Sequence, residues 1–164
     1  MNRFILDRDP VIAAQQHCDK HVVKMILEEA QMLSTVHRRF GSQDDRLYKA
    51  THANHPCTIW AGQTRANYRW AYNLFVALCD EYTHRYGKIH ATARLLPALA
   101  EAPESLPDGP LTPFAQAMPD ELHHEDAVEA YRLYYVVHKS GFAKWSKRDI
   151  PLWYIEYEKE INND

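Results

Sequence analysis

The sequence predicts an all-α protein that folds as a single compact domain over residues 1–164, with about three main helices, a long proline-rich loop and an aromatic C-terminal segment. Between Val11 and Val36 the apolar residues recur with the period of an amphipathic α-helix. No stretch combines strand-like alternation with turn signals. A length of 164 residues is typical of one domain with its own hydrophobic core.

The first helix is predicted to follow a short extended N-terminal arm. Asp9 can cap this helix, Pro10 suits its first turn, and Gly41 ends it after about Phe40. An apolar arc would pack against the core, and its members are Val11, Ala14, Cys18, Val22, Met25, Ile26, Met32, Leu33 and Val36. Glu29 falls inside this arc, and a buried carboxylate must be paired or it becomes neutral.

A second face of the same helix carries polar groups with spacing i, i+4, i+7, i+11 and i+14. These groups are His17, His21, Lys24, Glu28 and Gln31. Two imidazoles, an ammonium, a carboxylate and an amide differ from the simple Glu–Lys pairs of a solvated helix face. We therefore interpret this face as functional, against the alternative of an ordinary solvated surface.

A second helix is predicted from Pro56 to about Tyr86, with Gly87 at its end, and a shorter helical piece from Ile89 to Ala98. The segment 97–119 contains six of the nine prolines, so it cannot be a regular helix or a central strand. It is either a mobile connection or an ordered loop over the core.

A third helix is predicted over residues 121–140, with Asp120 as its cap and Gly141 at its end. The tail from Phe142 onward mixes basic and aromatic residues. Such a mixture suits contacts to phosphates and stacking on bases, or packing of the aromatic rings into the core.

Composition limits the classes of function. The net charge of −3 disfavours a non-specific nucleic-acid binder, whose affinity comes mainly from Lys and Arg. Three cysteines without a CxxC spacing indicate free thiols, which predicts a cytoplasmic location. No apolar run is long enough to cross a membrane, and we expect a monomer without a cofactor.

Three chemistries fit these residues. A metal-dependent hydrolase could use His17 and His21 with the histidines at 123–124, although no HExxH motif is present. In metal-free chemistry, Glu28 would stabilise an oxocarbenium-like sugar while an amine from Lys20, Lys24 or the chain terminus forms a Schiff base. The third reading is a non-catalytic nucleic-acid or nucleotide binder.

Several motifs resemble one family. Asp19-Lys20-His21, Lys24, Glu28 and Gln31-Met32-Leu33 resemble the D-K-R-L-x-K-x-x-x-E-x-x-Q-x-L helix of pyrimidine-dimer DNA glycosylase-like proteins. Asn54-His55-Pro56-Cys57-x-x-Trp60 is similar to their N-H-P-x-x-x-x-W element. Arg3 and the segment Pro151-Leu152-Trp153-Tyr154 match the basic third residue and the P-x-W-Y ending of the phage endonuclease V type.

The resemblance implies an all-α DNA N-glycosylase with AP-lyase activity that removes a damaged or modified pyrimidine. The implied catalytic residues are Glu28, His21, Lys24 and Met1. The implied substrate-binding residues are Arg3, His17, Lys20, Gln31, Asn54, His55, Trp60, Arg148, Trp153 and Tyr154. DNA or a nucleotide-sized molecule would be the substrate.

The sequence departs from this family at two places. The phage enzyme uses the α-amine of a threonine exposed by removal of the initiator methionine, whereas Asn2 is a poor context for that removal. The free amine is therefore expected on Met1. Leu27 and Gln31 replace arginines of the phage enzyme, so the substrate is either DNA held mainly by Arg3 and the tail, or a smaller nucleotide.

Overall fold

The computed structural model describes residues 1–163, and this part of the chain is all-helical. The α-helices are α1 (Pro10–Gln16), α2 (Asp19–Arg39), α3 (Pro56–Ala61), α4 (Arg65–Tyr86), α5 (Leu96–Leu99), α6 (Ala127–Tyr134) and α7 (Leu152–Asn162). Short 3₁₀ turns cover Ala91–Leu95 and Asp120–Leu122, and a π-helical turn covers Tyr135–Lys139. The all-α prediction is confirmed, but seven α-helices replace the three main helices expected.

The first predicted helix is interrupted at His17 and Cys18, which adopt extended backbone conformations. The interruption has tertiary causes, because the backbone N–H of Asp19 donates to Lys144 O and that of Cys18 donates to the Tyr135 hydroxyl. Asp9 caps α1 as expected. The apolar arc is buried as predicted, except for Val11, which is 51% exposed.

The second predicted helix is also divided. Gly62 ends α3, and the Thr64 hydroxyl caps α4 by accepting from the backbone N–H of Asn67. Gly87 ends α4 in the left-handed region at φ 66°, as the sequence indicates.

The third predicted helix begins six residues later than expected. Asp126, and not Asp120, caps α6 through the backbone N–H of Val128. After α6 the chain widens into the π-helical turn, a feature that recurs at functional sites. The aromatic tail was not assigned a helix, but α7 forms after Pro151.

Helix α4 packs against α1 and α2 and supplies the centre of the core through Tyr68, Leu74 and Phe75. The N-terminal arm is buried as well, since Phe4, Ile5 and Leu6 are at most 3% exposed. Within residues 1–163 no helix has the length and apolar character needed to cross a membrane.

The proline-rich segment is an ordered loop over the core. Trp60 Nε1 donates to Pro113 O at 2.9 Å, and the Tyr68 hydroxyl donates to Leu99 O at 2.7 Å. Asn67 is fully buried and holds Thr112 twice, through Thr112 N to Asn67 Oδ1 and Asn67 Nδ2 to Thr112 Oγ1. The loop thus forms a wall of the molecule.

We predict that N67A lowers the free energy of unfolding by about 2–3 kcal/mol, because Trp60 O and the backbone N–H of Thr112 lose their buried partner. Urea unfolding measures this change, and limited proteolysis should show faster cleavage near Thr112. Q63A is the matched amide control, since Gln63 makes only a long 3.4 Å contact to the Thr112 hydroxyl. Equal effects of the two substitutions would contradict the anchoring role of Asn67.

Candidate active site

The amino terminus meets α2 at Glu28. The α-amino nitrogen of Met1 lies 3.1 Å from Glu28 Oε1, and Lys24 Nζ lies 4.0 Å from Oε2. The Glu28 residue is 7% exposed, and its Oε2 accepts no hydrogen bond from residues 1–163. A nearly buried carboxylate therefore stands between two amines with one oxygen free for a further partner.

The next residue along α2 anchors the arm. Arg3 donates from Nε to Glu29 Oε2 at 2.8 Å and from Nη2 to Glu29 Oε1 at 2.6 Å, and its Nη1 donates to Cys57 O at 2.8 Å. Both charged side chains are 2% exposed. The burial of Glu29 is confirmed, and of the two alternatives for its carboxylate the structure shows a partner, Arg3 of the arm.

The side chain of Asn2, which lies between Met1 and Arg3 in the chain, is also held by hydrogen bonds. Its Oδ1 accepts from the Tyr131 hydroxyl at 2.8 Å, and its Nδ2 donates to Ala117 O at 2.7 Å. Two other segments, the proline-rich loop and α6, therefore hold the arm in place. The position of the Met1 amine follows from these contacts, since the backbone of the next two residues, Asn2 and Arg3, has little freedom.

His21 lies on α2 beneath the arm and is 3% exposed. Its Nδ1 is 2.6 Å from the Tyr135 hydroxyl, and its ring stacks on Phe4 with centroids 4.3 Å apart. Burial, together with the neighbouring His17 and lysines, lowers the pKa of His21 to about 2. The imidazole is therefore neutral near pH 7, so it can orient groups but does not bring a positive charge.

The rings of Phe4, His21, Tyr134 and Phe142 pack against one another and form an aromatic layer. Three lysines surround this layer. Lys20 Nζ lies 4.4 Å from the Phe142 ring centroid, and Lys139 Nζ lies 5.9 Å from that of Phe4. Lys24 is the third, beside Glu28. Lys139 and Phe4 are not predicted as site residues from the sequence, because only the π-helical turn and the buried arm bring them to α2, and neither feature has a local sequence signal.

The interruption between α1 and α2 moves His17 away from the predicted functional line. His17 is fully buried at the end of α1, with Nδ1 2.6 Å from Ala13 O, and burial lowers its pKa to about 4. His21, Lys24, Glu28 and the partly exposed Gln31 remain together on α2. The prediction of five side chains on one continuous helix face is therefore wrong for the first of them, His17.

The residues before and within α3 divide between the site and the core. His55 lies near the amino terminus, where burial and the charge of the Met1 amine lower its pKa. Asn54 is exposed in the preceding turn. Trp60 is 3% exposed, and the Arg3 guanidinium lies 5.3 Å from its ring, so its role here is to pack beneath the arm.

The tail residues expected to bind substrate are occupied internally. Arg148 donates from Nε and Nη2 to the two oxygens of Glu81 at 2.9 and 3.0 Å. Trp153 and Tyr154 are 7% and 6% exposed, and Trp153 Nε1 donates to Gln16 Oε1. Core packing, the alternative to base stacking for the aromatic rings of the tail, describes Trp153 and Tyr154, whereas Arg148 is partly exposed and paired with Glu81.

The histidines considered for a metal do not converge. No group of three or more His, Cys, Asp or Glu side chains in the described chain has an arrangement that could hold a metal ion. His123 and His124 line an open groove between α6 and α7, whereas His17 is sealed in the core. The donor geometry therefore gives no support to the metal-dependent hydrolase.

No protein-family model matches this chain, and neither the curated proteins nor the solved structures compared with it give a match. The function must therefore be argued from the site itself. Its distinguishing features are an α-amine on a buried carboxylate, a neutral imidazole and a group of lysines.

We predict that R3M lowers the free energy of unfolding by about 3–5 kcal/mol, because it leaves the Glu29 carboxylate buried without a partner. The double variant R3M/E29M should recover most of the loss, since apolar replacement of a buried ion pair is often neutral. Urea unfolding of the two variants gives the comparison. The control is R46M at the exposed Arg46–Asp44 pair, which should leave the unfolding midpoint close to that of the wild type because solvent screens the two charges. A double variant as unstable as R3M would refute this reading.

Proposed function

We propose that this protein is a DNA N-glycosylase, with an associated AP-lyase step, that removes a damaged or modified pyrimidine through an imine. The contact between the Met1 α-amine and the buried Glu28 carboxylate supports this proposal most directly. It requires Met1 to be the first residue of the working chain, which the intact mass and N-terminal sequencing of the purified protein can check.

The chemistry begins with the amine. An ammonium group must lose a proton before it can attack, and the Glu28 carboxylate is within hydrogen-bond distance to accept one. The amine nitrogen then bonds to the sugar C1′ while the bond from C1′ to the base breaks. The electron pair leaves with the base, which takes up a proton. The nitrogen then loses a proton, and its lone pair forms the C=N bond as the C1′–O4′ bond of the sugar ring breaks. O4′ takes up a proton, and the product is the protonated imine.

Glu28 has a second role in that step. As the base departs, positive charge develops on the sugar, and a fixed carboxylate stabilises it in a site from which water is largely excluded. Hydrolysis of the imine releases an abasic sugar and regenerates the amine. Loss of a C2′ proton from the imine instead expels the 3′ phosphate, which is the lyase reaction.

A purely structural role for this amine–carboxylate pair is less satisfactory. Buried polar atoms in folded proteins are almost always hydrogen-bonded, and Glu28 Oε2 has no such partner within residues 1–163. An oxygen of this kind beside a positioned amine is more readily explained by a binding site than by a purely structural pair. The amine itself supports the enzyme over the non-catalytic binder, because a nucleophile next to a carboxylate is what imine chemistry requires.

The proposal includes a cytoplasmic monomer. Cys18, Cys57 and Cys79 are all buried and free. Free thiols are usual in a reducing compartment. Nothing in the proposed chemistry requires a metal, a cofactor or a second subunit.

We predict that borohydride traps a covalent adduct between Met1 and an oligonucleotide that carries an abasic site or a thymine dimer, in single-stranded or duplex form. E28Q should slow trapping at least about 10²-fold, because the charge next to the reacting sugar is lost. Its unfolding midpoint should remain close to that of the wild type. Mass mapping of the adduct identifies the amine.

Two controls separate this chemistry from side reactions. E158Q changes an exposed glutamate of α7 and should trap at the wild-type rate. A chain extended by two residues at its amino terminus moves the amine away from Glu28 and should not trap. An adduct on a lysine in every variant would overturn the assignment of Met1, and no adduct with any substrate would overturn the proposed function.

A further inference from the structure

The basic and aromatic residues that would hold a DNA duplex are largely committed to the protein itself. Arg3 is paired with Glu29 and Arg148 with Glu81. Trp60, Trp153 and Tyr154 are at most 7% exposed. A broad phosphate-binding surface needs many free cations, and this chain carries a net charge of −3.

Three lysines nevertheless collect at one place, around His21 and Glu28. Lys20 and Lys24 are exposed, Lys139 is half-buried, and all three act electrostatically on His21. Lys24 and Lys20 precede Glu28 by one and two helical turns, which is about 6 and 12 Å along the axis of α2. Cationic groups at these distances can contact the phosphates next to a sugar that reacts at the Met1 amine.

The aromatic layer gives these lysines defined positions. The Lys20 ammonium lies over Phe142, and the Lys139 ammonium lies over both Phe4 and Tyr134, at 5.9 and 4.8 Å from their centroids. Cation–π contacts of this kind restrain a flexible side chain without neutralising it. Lys20 and Lys139 have no carboxylate partner in the described chain, so their charges stay available to an anion.

From these contacts we propose that Lys20, Lys24 and Lys139 form a phosphate subsite, and that the substrate is the phosphorylated sugar of a single nucleic-acid strand or nucleotide, bound through one to three phosphates. This inference rests on the proposed imine chemistry. It adds that the enzyme recognises one strand, because three lysines can contact only a few phosphates. The side chains that would extend the contact to a duplex, such as Arg148 and Trp153, are paired or buried within the protein.

A matched pair of small aldehydes tests the subsite separately from the chemistry. The probes are 2-deoxyribose and 2-deoxyribose 5-phosphate, each trapped with cyanoborohydride and quantified on the Met1 peptide. Amine and aldehyde form an imine with loss of water, and hydride from the reagent reduces it to a stable secondary amine. We expect the phosphorylated sugar to react about tenfold faster or more at low concentration, since hydrogen bonds to charged groups are the strong ones.

Lysine variants assign the preference to the subsite. K20M, K24M and K139M keep the aliphatic length of the side chain and remove its charge, and each should lower the ratio of the two trapping rates. K159M, at an exposed lysine of α7, is the matched control and should leave the ratio unchanged. Thermal unfolding of each variant checks that the fold is intact.

Oligonucleotides with one abasic site test the preference for one strand. Single-stranded DNA should be trapped at least as fast as duplex, with a log–log salt slope of about −2 that each lysine variant reduces in magnitude by about 0.7. A duplex that reacts much faster, with a slope of about −5 or steeper, would overturn the single-strand assignment. Equal trapping of the two sugars would overturn the subsite but leave the proposed function, whereas no trapping on Met1 with either sugar would overturn the function itself.

Discussion

The buried ion pair between Arg3 and Glu29 is the interaction on which the site depends. An N-terminal arm is normally free, because the first residues of a chain have few contacts. Here a bidentate salt bridge and a third hydrogen bond to Cys57 O hold the arm inside the molecule. Desolvating two charges is costly, and only a geometry that satisfies most of their hydrogen-bonding groups makes the arrangement acceptable. Because Arg3 is fixed, the position of the Met1 amine, two residues earlier in the chain, is restricted as well.

Adjacent glutamates on one helix thereby acquire opposite roles. Side chains at neighbouring helical positions point about 100° apart, so Glu29 faces the core while Glu28 faces the edge of the arm. Glu29 meets a guanidinium, whose planar fork matches a carboxylate and leaves no oxygen free. Glu28 lies within hydrogen-bond distance of one amine, that of Met1, and its other oxygen, 4.0 Å from Lys24 Nζ, accepts no hydrogen bond within the described chain. The same residue type thus serves as a structural anchor at Glu29 and as a candidate reactive group at Glu28.

Local patterns in the sequence predicted what local physics controls. The cap at Asp9, the left-handed end at Gly87 and the buried arc of α2 all follow from helical geometry and are present in the structure. The burial of Glu29 also followed from its place in that arc, and the need for a partner followed from its charge. The identity of the partner did not, since Arg3 is distant in sequence and only the folded arm brings it there.

The errors have the opposite origin. The helix interruption at His17 and Cys18 depends on hydrogen bonds that backbone N–H groups donate to Lys144 O and to the Tyr135 hydroxyl, which belong to distant parts of the chain. Helix α6 starts late because Asp126, and not Asp120, caps it, and both aspartates suit that role in the sequence. Aromatic residues in the tail suited both base stacking and core packing, and only the folded chain distinguishes these uses.

The division of labour between arginine and lysine explains how an acidic protein can present a cationic site. Arginine forms directional, bidentate pairs and is weakly hydrated. It therefore suits buried ion pairs such as Arg3 with Glu29, and Arg85 with Glu81 within α4. Lysine is strongly hydrated and keeps its ammonium group at the surface while its stem packs on apolar groups. Arginines that pair internally neutralise buried carboxylates, whereas lysines left at the rim of α2 add to the local potential. The charge that a substrate meets therefore depends on which cations remain unpaired, and not on the net charge of the chain.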